Sequence, residues 1–143
     1  MKNEVKNARN FIFGGNAEFT IKNIVSSKEY KYNIRKSKNK YEDKELFFVR
    51  VKNGKDFEYA GCIFKFLNGK FVYNKGKKGN LDITDPAIKG IIYAINRGNN
   101  ALPHPMKMIH HGHCACCGRK LDDDESIERG FGPICWKNIC SNI

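Results

Sequence analysis

The position of its cysteines constrains the fold of this chain more than any other feature. Five of the six cysteines lie between Cys114 and Cys140, in the last third of 143 residues. No apolar run approaches the ~20 residues that cross a bilayer, and the N-terminus lacks the apolar core of a signal peptide. We therefore expect an intracellular protein without membrane contact. In a reducing compartment, clustered cysteines indicate a metal site and not disulfides.

The spacing of three cysteines predicts one structural zinc ion. Cys114 and Cys117 are three residues apart and are followed by Gly118, which lets the backbone turn both sulfurs toward one point. Cys135 follows Pro133 in the first turn of a predicted helix, where the helix dipole favours a thiolate. A knuckle, an intervening loop or hairpin and a helix-borne ligand are typical of a treble-clef-like zinc module.

The sequence leaves the fourth ligand open. Cys140 is five residues after Cys135, about 140° around a helix axis, and would coordinate only if the helix ended early. His110 gives the spacing His-x3-Cys-x2-Cys and is the favoured ligand. His111 and His113 are further alternatives.

The residues around this site argue against catalysis. Thiolate-rich zinc sites are usually closed and structural, whereas catalytic sites keep an open position for water. A nuclease in such a module would need histidines on both the hairpin and the helix, and no histidine follows His113. Because the chain also lacks the common catalytic motifs, we expect a protein that is not an enzyme.

The charge lies outside the cysteine-rich segment. The chain contains 26 Lys and Arg against 15 Asp and Glu, for a net charge of +11. Residues 104–143 contain five of each sign, so the whole excess belongs to residues 1–103. A strongly basic domain favours an anionic partner, such as nucleic acid or an acidic protein surface. The candidate binding residues are Arg35, Lys36, Lys38, Lys40, Lys75, Lys77 and Lys78.

The sequence of residues 1–103 predicts strands followed by one helix. Alternating apolar and polar residues predict strands over 17–22, 30–35 and, less strictly, 46–51. Two further strands are predicted over 59–66 and 70–73. Asn68-Gly69 separates the last two strands and favours a hairpin turn. Asp85 and Pro86 begin a helix that ends near Gly98.

These patterns predict an α+β fold in two domains. Residues 1–103 would form a basic, strand-rich domain, in which one helix packs on a small antiparallel sheet. Residues 104–143 would form the zinc-binding module after a linker over 99–105. Tyr30, Tyr32 and Tyr41 stand among basic residues, where they either stack on nucleic-acid bases or belong to the core.

The cysteine segment resembles a family of small zinc-binding domains of unknown function found in many phage and prophage proteins. The resemblance covers roughly residues 109–137. It implies that His110 is the fourth ligand, and it implies the cytoplasm of a bacterial host cell. A weaker similarity begins at Gly14-Gly15-Asn16. The matching residues are Cys114, Cys117, Gly118, Arg119, Leu121, Glu125, Ser126, Ile127, Gly130, Gly132, Pro133 and Cys135.

In size and layout the chain also resembles zinc-containing anti-CRISPR proteins. That resemblance implies a non-enzymatic inhibitor that binds a Cas9-type nuclease as its protein partner and blocks the loading of target DNA. The alternative is a nucleic-acid-binding protein that uses its basic N-terminal domain. Binding that is driven by phosphate contacts should weaken steeply with salt, which separates the two expectations.

Overall fold

A single antiparallel sheet of six strands forms the centre of the molecule. The computed structural model describes residues 3–141, with side chains as far as residue 138. The strands lie in the order β5-β4-β3-β2-β1-β6, and every neighbouring pair is antiparallel. Their bounds are β1 Asn16–Asn23, β2 Glu29–Lys36, β3 Lys44–Asn53, β4 Asp56–Phe66, β5 Phe71–Asn74 and β6 Met106–His110.

Four helices accompany the sheet. They are α1 Ala8–Ile12, α2 Pro86–Asn96, α3 Asp124–Arg129 and α4 Pro133–Ser141. The predicted helix is α2, where the side chain of Asp85 accepts a hydrogen bond from the Ala87 N–H at 2.9 Å. None of the helices in residues 3–141 is long and apolar enough to cross a membrane.

The inner face of the sheet carries the core. Phe19 and Tyr32 stack with ring centroids 5.1 Å apart, and both side chains are fully buried. The Tyr32 hydroxyl donates to the Ala87 carbonyl at 2.8 Å, which joins β2 to α2. Burial raises the pKa of Tyr32, and so do the nearby Tyr30 and Asp85. Tyr32 is therefore a core residue and not an exposed base-stacking side chain.

Strand β6 connects the cysteine-rich segment to the sheet. It lies beyond the predicted domain boundary at residue 103, yet it pairs with β1 along the sheet edge. Phe131 from the far end of the segment packs on Phe11 of α1 at 6.0 Å. Both halves thus contribute to one hydrophobic core. The division into two domains at residue 103 stays a prediction. The shared sheet and core are physical reasons against independent folding of the two parts.

The outer face of the sheet is partly open to solvent along β3 to β5. Phe47, Val49 and Val51 are buried on the inner face, so the residues between them point outward. Arg50 is exposed, and Phe48 remains 37% exposed. This face is where the basic residues and surface aromatics meet.

Candidate metal centre and basic face

A tight turn brings Cys114 and Cys117 together. The Gly118 N–H donates to the Cys114 carbonyl at 2.9 Å, and Gly118 adopts a φ of +77°, which favours glycine. The Cys114 N–H then donates to the Arg119 carbonyl at 2.8 Å. These bonds fold the chain back on itself and hold both sulfurs on the same side of the turn.

The third sulfur comes from helix α4. Cys135 lies in its first turn, and the sulfurs of Cys114, Cys117 and Cys135 all lie within 4.8 Å of one another. A tetrahedral zinc ion with Zn–S bonds of ~2.3 Å requires sulfurs ~3.8 Å apart. The arrangement can therefore hold a metal ion. This confirms the cluster that the sequence predicted.

The opposite pKa shifts of Cys114 and Cys135 are those expected of a site that is completed by a cation. Burial alone would raise the pKa of Cys114, but the backbone N–H groups of Cys117, Gly132 and Cys116 bond to its sulfur and lower the pKa. Burial raises the pKa of Cys135, and the adjacent Cys114 raises it further. The protein thus stabilises one thiolate and opposes a second. A bound divalent ion would remove that opposition, because coordinating thiols lose their protons.

The structure does not bring His110, the favoured fourth ligand, into this group of sulfurs. Its side chain is 1% exposed, and both ring nitrogens bind backbone groups. Nδ1 accepts from the Gly112 N–H at 3.0 Å, so Nε2 carries the proton and donates to the Ile127 carbonyl at 2.5 Å. Burial lowers the pKa of His110, against a smaller upward effect of the Ile127 bond. The ring is a neutral link between β6 and α3.

The other candidates for a fourth ligand are placed as follows. His111 lies with Nε2 2.8 Å from the Thr20 hydroxyl, and exposed His113 forms a β-bridge with Lys120. The side chain of Cys140 lies outside the described residues. Among residues 3–138, the metal-ligating group contains the three cysteines only. On one side the cluster borders a hollow of about 180 Å³.

The knuckle packs directly against the start of β1. The Asn16 N–H donates to the Ala115 carbonyl at 2.6 Å. A Cβ atom on Gly14 would stand 2.7 Å from that same carbonyl oxygen, so only glycine fits. The Gly14-Gly15-Asn16 segment, where the weaker family similarity begins, therefore packs against the knuckle that carries Cys114 and Cys117.

The predicted basic residues fall into two groups on the structure. Lys75, Lys77 and Lys78 form the loop that follows β5, and all three are exposed. Arg35 lies in β2 directly opposite Phe48 of β3. Residues 36, 38 and 40 belong to the end of β2 and the next loop.

One predicted residue is partly neutralised. Lys36 forms an ion pair with Glu45, whose other carboxylate oxygen lies 3.5 Å from Lys65. Lys36 is therefore less available to an anionic partner than the loop lysines after β5.

Two aromatic side chains beside this loop were not predicted as binding residues from the sequence. Phe48 and Tyr59 contact each other at 6.2 Å between ring centroids, nearly edge to face. With Arg50 they line an open hollow of about 440 Å³. The lysines of the loop after β5 complete its rim. The alternation of β3 could have predicted that Phe48 points outward. The bulge that positions Tyr59 has no recognisable sequence pattern.

Comparison with known proteins bears on the metal centre only. Residues 110–139 match the model of a family of unknown function, DUF6011. The match covers the knuckle, α3 and most of α4, or about a fifth of the chain. No curated protein and no solved structure matches the chain. The resemblance of the cysteine segment to a family of unknown function is thus confirmed, over nearly the span that the motifs indicated.

Proposed function

We propose that this protein binds nucleic acid without catalysis, and that one structural zinc ion holds its C-terminal segment against the sheet. The observation that carries the proposal is the hollow on the outer face, where cations surround the exposed Phe48 and the half-buried Tyr59. Phosphate backbones are the polyanions that such basic faces most often meet.

The zinc site is proposed to be structural and treble-clef-like. The knuckle supplies two cysteines and the first turn of α4 supplies the third, in the order that such a module requires. Three thiolates favour zinc over harder cations. Between the knuckle and α4, where the sequence predicted a loop or a hairpin, the chain contains the short helix α3.

The distribution of charge supports the sheet, and not the zinc segment, as the binding surface. Residues 104–143 carry equal numbers of acidic and basic side chains. Asp122 and Asp123 precede α3 and Asp124 begins it, and these three carboxylates would repel phosphates. The zinc segment therefore acts as scaffold in this proposal.

The test is the salt dependence of oligonucleotide binding, measured by fluorescence anisotropy. The test variant replaces Lys75, Lys77 and Lys78 by alanine. For single strands the slope of log K against log salt is about −0.7 per phosphate contact. Loss of three contacts should make the slope shallower by about 2.

A matched control removes the same charge elsewhere. Lys28, Lys89 and Lys120 are exposed and lie away from the loop after β5. Their replacement by alanine should leave the slope almost unchanged. Equal effects of the two triple variants would contradict a localised binding face. Absence of binding to any oligonucleotide at low salt would end the proposal.

Inhibition of a Cas9-type nuclease stays a second proposal for the partner. It rests on the length and layout of the chain, and no contact within residues 3–138 specifically favours it. The two proposals separate in the same assay at high salt. A stable complex with the nuclease, formed where oligonucleotide binding has disappeared, would favour a protein partner.

A further inference from the structure

We infer that Phe48 and Tyr59 form a base-stacking platform, and that the nucleic acid bound on the outer face is single-stranded. The inference rests on the proposed function and names its substrate class. Three observations support it: the register of the sheet, the way the lysine loop is fixed beside the two rings, and the charge of the rim.

The strand register places Phe48 between Arg35 and the lysine loop after β5. Arg35 of β2 lies opposite Phe48 of β3, which lies opposite Cys62 of β4. Cys62 in turn pairs with Asn74, the last residue before the lysine loop. Adjacent strands are ~4.8 Å apart, so this row extends ~14 Å. A strand of nucleic acid that crosses the sheet along it would meet cations at both ends and rings between them.

A β-bulge brings the second ring onto the same face. Val49 pairs with Gly61 but Arg50 pairs with Tyr59, so Ala60 is the extra residue of β4. Bulges re-aim the side chains beside them. Here Ala60 is buried in the core, while Tyr59 turns outward beside Arg50 and reaches Phe48.

The same bulge fixes the lysine loop beside the rings. The carbonyls of Tyr59 and Ala60 accept hydrogen bonds from the N–H groups of Asn80 and Leu81, at 3.1 and 3.2 Å. The Tyr73 hydroxyl lies 2.8 Å from the Ala60 carbonyl oxygen and 2.7 Å from that of Leu81. Residues 75–78 are thus held beside the bulge of β4 in a preformed arrangement.

The rim of the hollow is cationic. Arg50 and the three lysines line it, and no carboxylate is among the lining residues that the structure describes. Asp82 is the acidic neighbour of Lys75, and Lys75 helps to lower the pKa of that carboxyl after the larger effect of the Thr84 hydroxyl. Arg50, Lys77 and Lys78 form no ion pair with any carboxylate in residues 3–138.

Rings on a sheet surface favour unpaired bases. In a duplex the faces of the bases are covered by their neighbours, so a ring can stack only on a base that has left the helix. Stacking contributes about 1–3 kcal/mol per base and tolerates any sequence. A surface that bound duplex DNA through its phosphates would need cations but no exposed rings.

The experiment compares three fluorescein-labelled probes of about ten nucleotides, a length within the range of single-strand sites. They are a base-containing single strand, an abasic strand of equal length and a duplex, all at one low salt concentration. The wild-type protein should bind the base-containing strand at least tenfold more tightly than the abasic strand and more tightly than the duplex. Phe48→Leu and Tyr59→Leu should each remove most of that preference.

Tyr93→Leu is the matched control, because Tyr93 is a 40% exposed aromatic residue on α2, away from the sheet face. It should retain the full preference. Equal wild-type affinity for the abasic and base-containing strands would overturn the platform while leaving phosphate binding intact, and so would tighter binding of the duplex. Failure to bind any probe would instead refute the proposed function. The comparison of probes on the wild type stands even if a variant does not fold.

Discussion

His110 has the sequence spacing of a zinc ligand, and in the structure its ring links two parts of the backbone. Its ring joins the Gly112 N–H to the Ile127 carbonyl and is almost completely buried. His110→Ala would leave both backbone groups without a partner, which costs about 1–3 kcal/mol per buried group. We expect the free energy of unfolding to fall by that order while the bound metal remains at wild-type stoichiometry. Urea unfolding and native mass spectrometry measure the two quantities, and loss of the metal at full stability would show that His110 is a ligand.

Residue types and spacing predicted the cysteine trio, whereas His110 as a fourth ligand stays a prediction. A Cys-x2-Cys-Gly knuckle has few structural alternatives, so Cys114 and Cys117 follow from local chemistry. The role of His110 depends on where α3 presents the Ile127 carbonyl, 17 residues later in the chain. Such a backbone partner has no sequence pattern of its own.

At the scale of elements, Glu45 of β3 is a charged link between its neighbours. It pairs with Lys36 of β2 and Lys65 of β4. Burial alone would raise the pKa of Glu45, but the hydrogen bond and charge of Lys36, then those of Lys65, lower it below its ordinary value. The folded state therefore binds this proton less readily than the unfolded state, whose carboxyl titrates near pH ~4.3.

The sign of the pH dependence follows from that lowered pKa. The stabilisation by Glu45 is complete above pH ~4.3 and is lost as the pH falls through the lower folded pKa. Glu45→Gln should therefore be less stable than wild type near pH 6, and the difference should shrink toward pH 3. Glu42→Gln removes an exposed carboxylate from the preceding loop and should change stability little at either pH. Urea unfolding at the two pH values measures this, and a constant deficit for Glu45→Gln would contradict it.

Long, strongly patterned elements were the predictable ones. Strands β1 to β3 alternate apolar and polar residues, β4 and β5 flank an Asn-Gly turn, and α2 has a cap, a proline and an apolar stripe, so all of them were predicted. Helices α1 and α3 have five and six residues, too few for a helical period to emerge. Strand β6 has five residues and is defined by its pairing with β1. The bulge at Ala60 depends on register between strands, which composition does not encode.

At the scale of the whole molecule, the metal site and the sheet share one core. The knuckle sits on Gly14 and Asn16, and Phe131 packs on Phe11. Removal of the metal should therefore destabilise the entire fold, and not only the last third.

A chelator provides the test of that coupling. A ligand at a thousandfold its dissociation constant stabilises a protein by about 4 kcal/mol, or ~10 °C in a domain of this size. We expect a strong zinc chelator to lower the melting temperature by at least that much, with a single transition in both states. Calorimetry that resolved two transitions, with the sheet melting unchanged, would instead support two independent domains.

The most direct measurement is the metal content of the purified protein by native mass spectrometry. We expect one zinc ion per wild-type chain and none in Cys135→Ser. Cys62→Ser is the matched control, because Cys62 is a buried thiol of β4 outside the cluster, and this variant should keep its zinc. A Cys140→Ser variant in the same series tests Cys140, a further candidate for the fourth ligand. A wild-type protein without metal, or a Cys135→Ser variant that keeps it, would contradict the central claim that one zinc ion holds the C-terminal segment on the sheet.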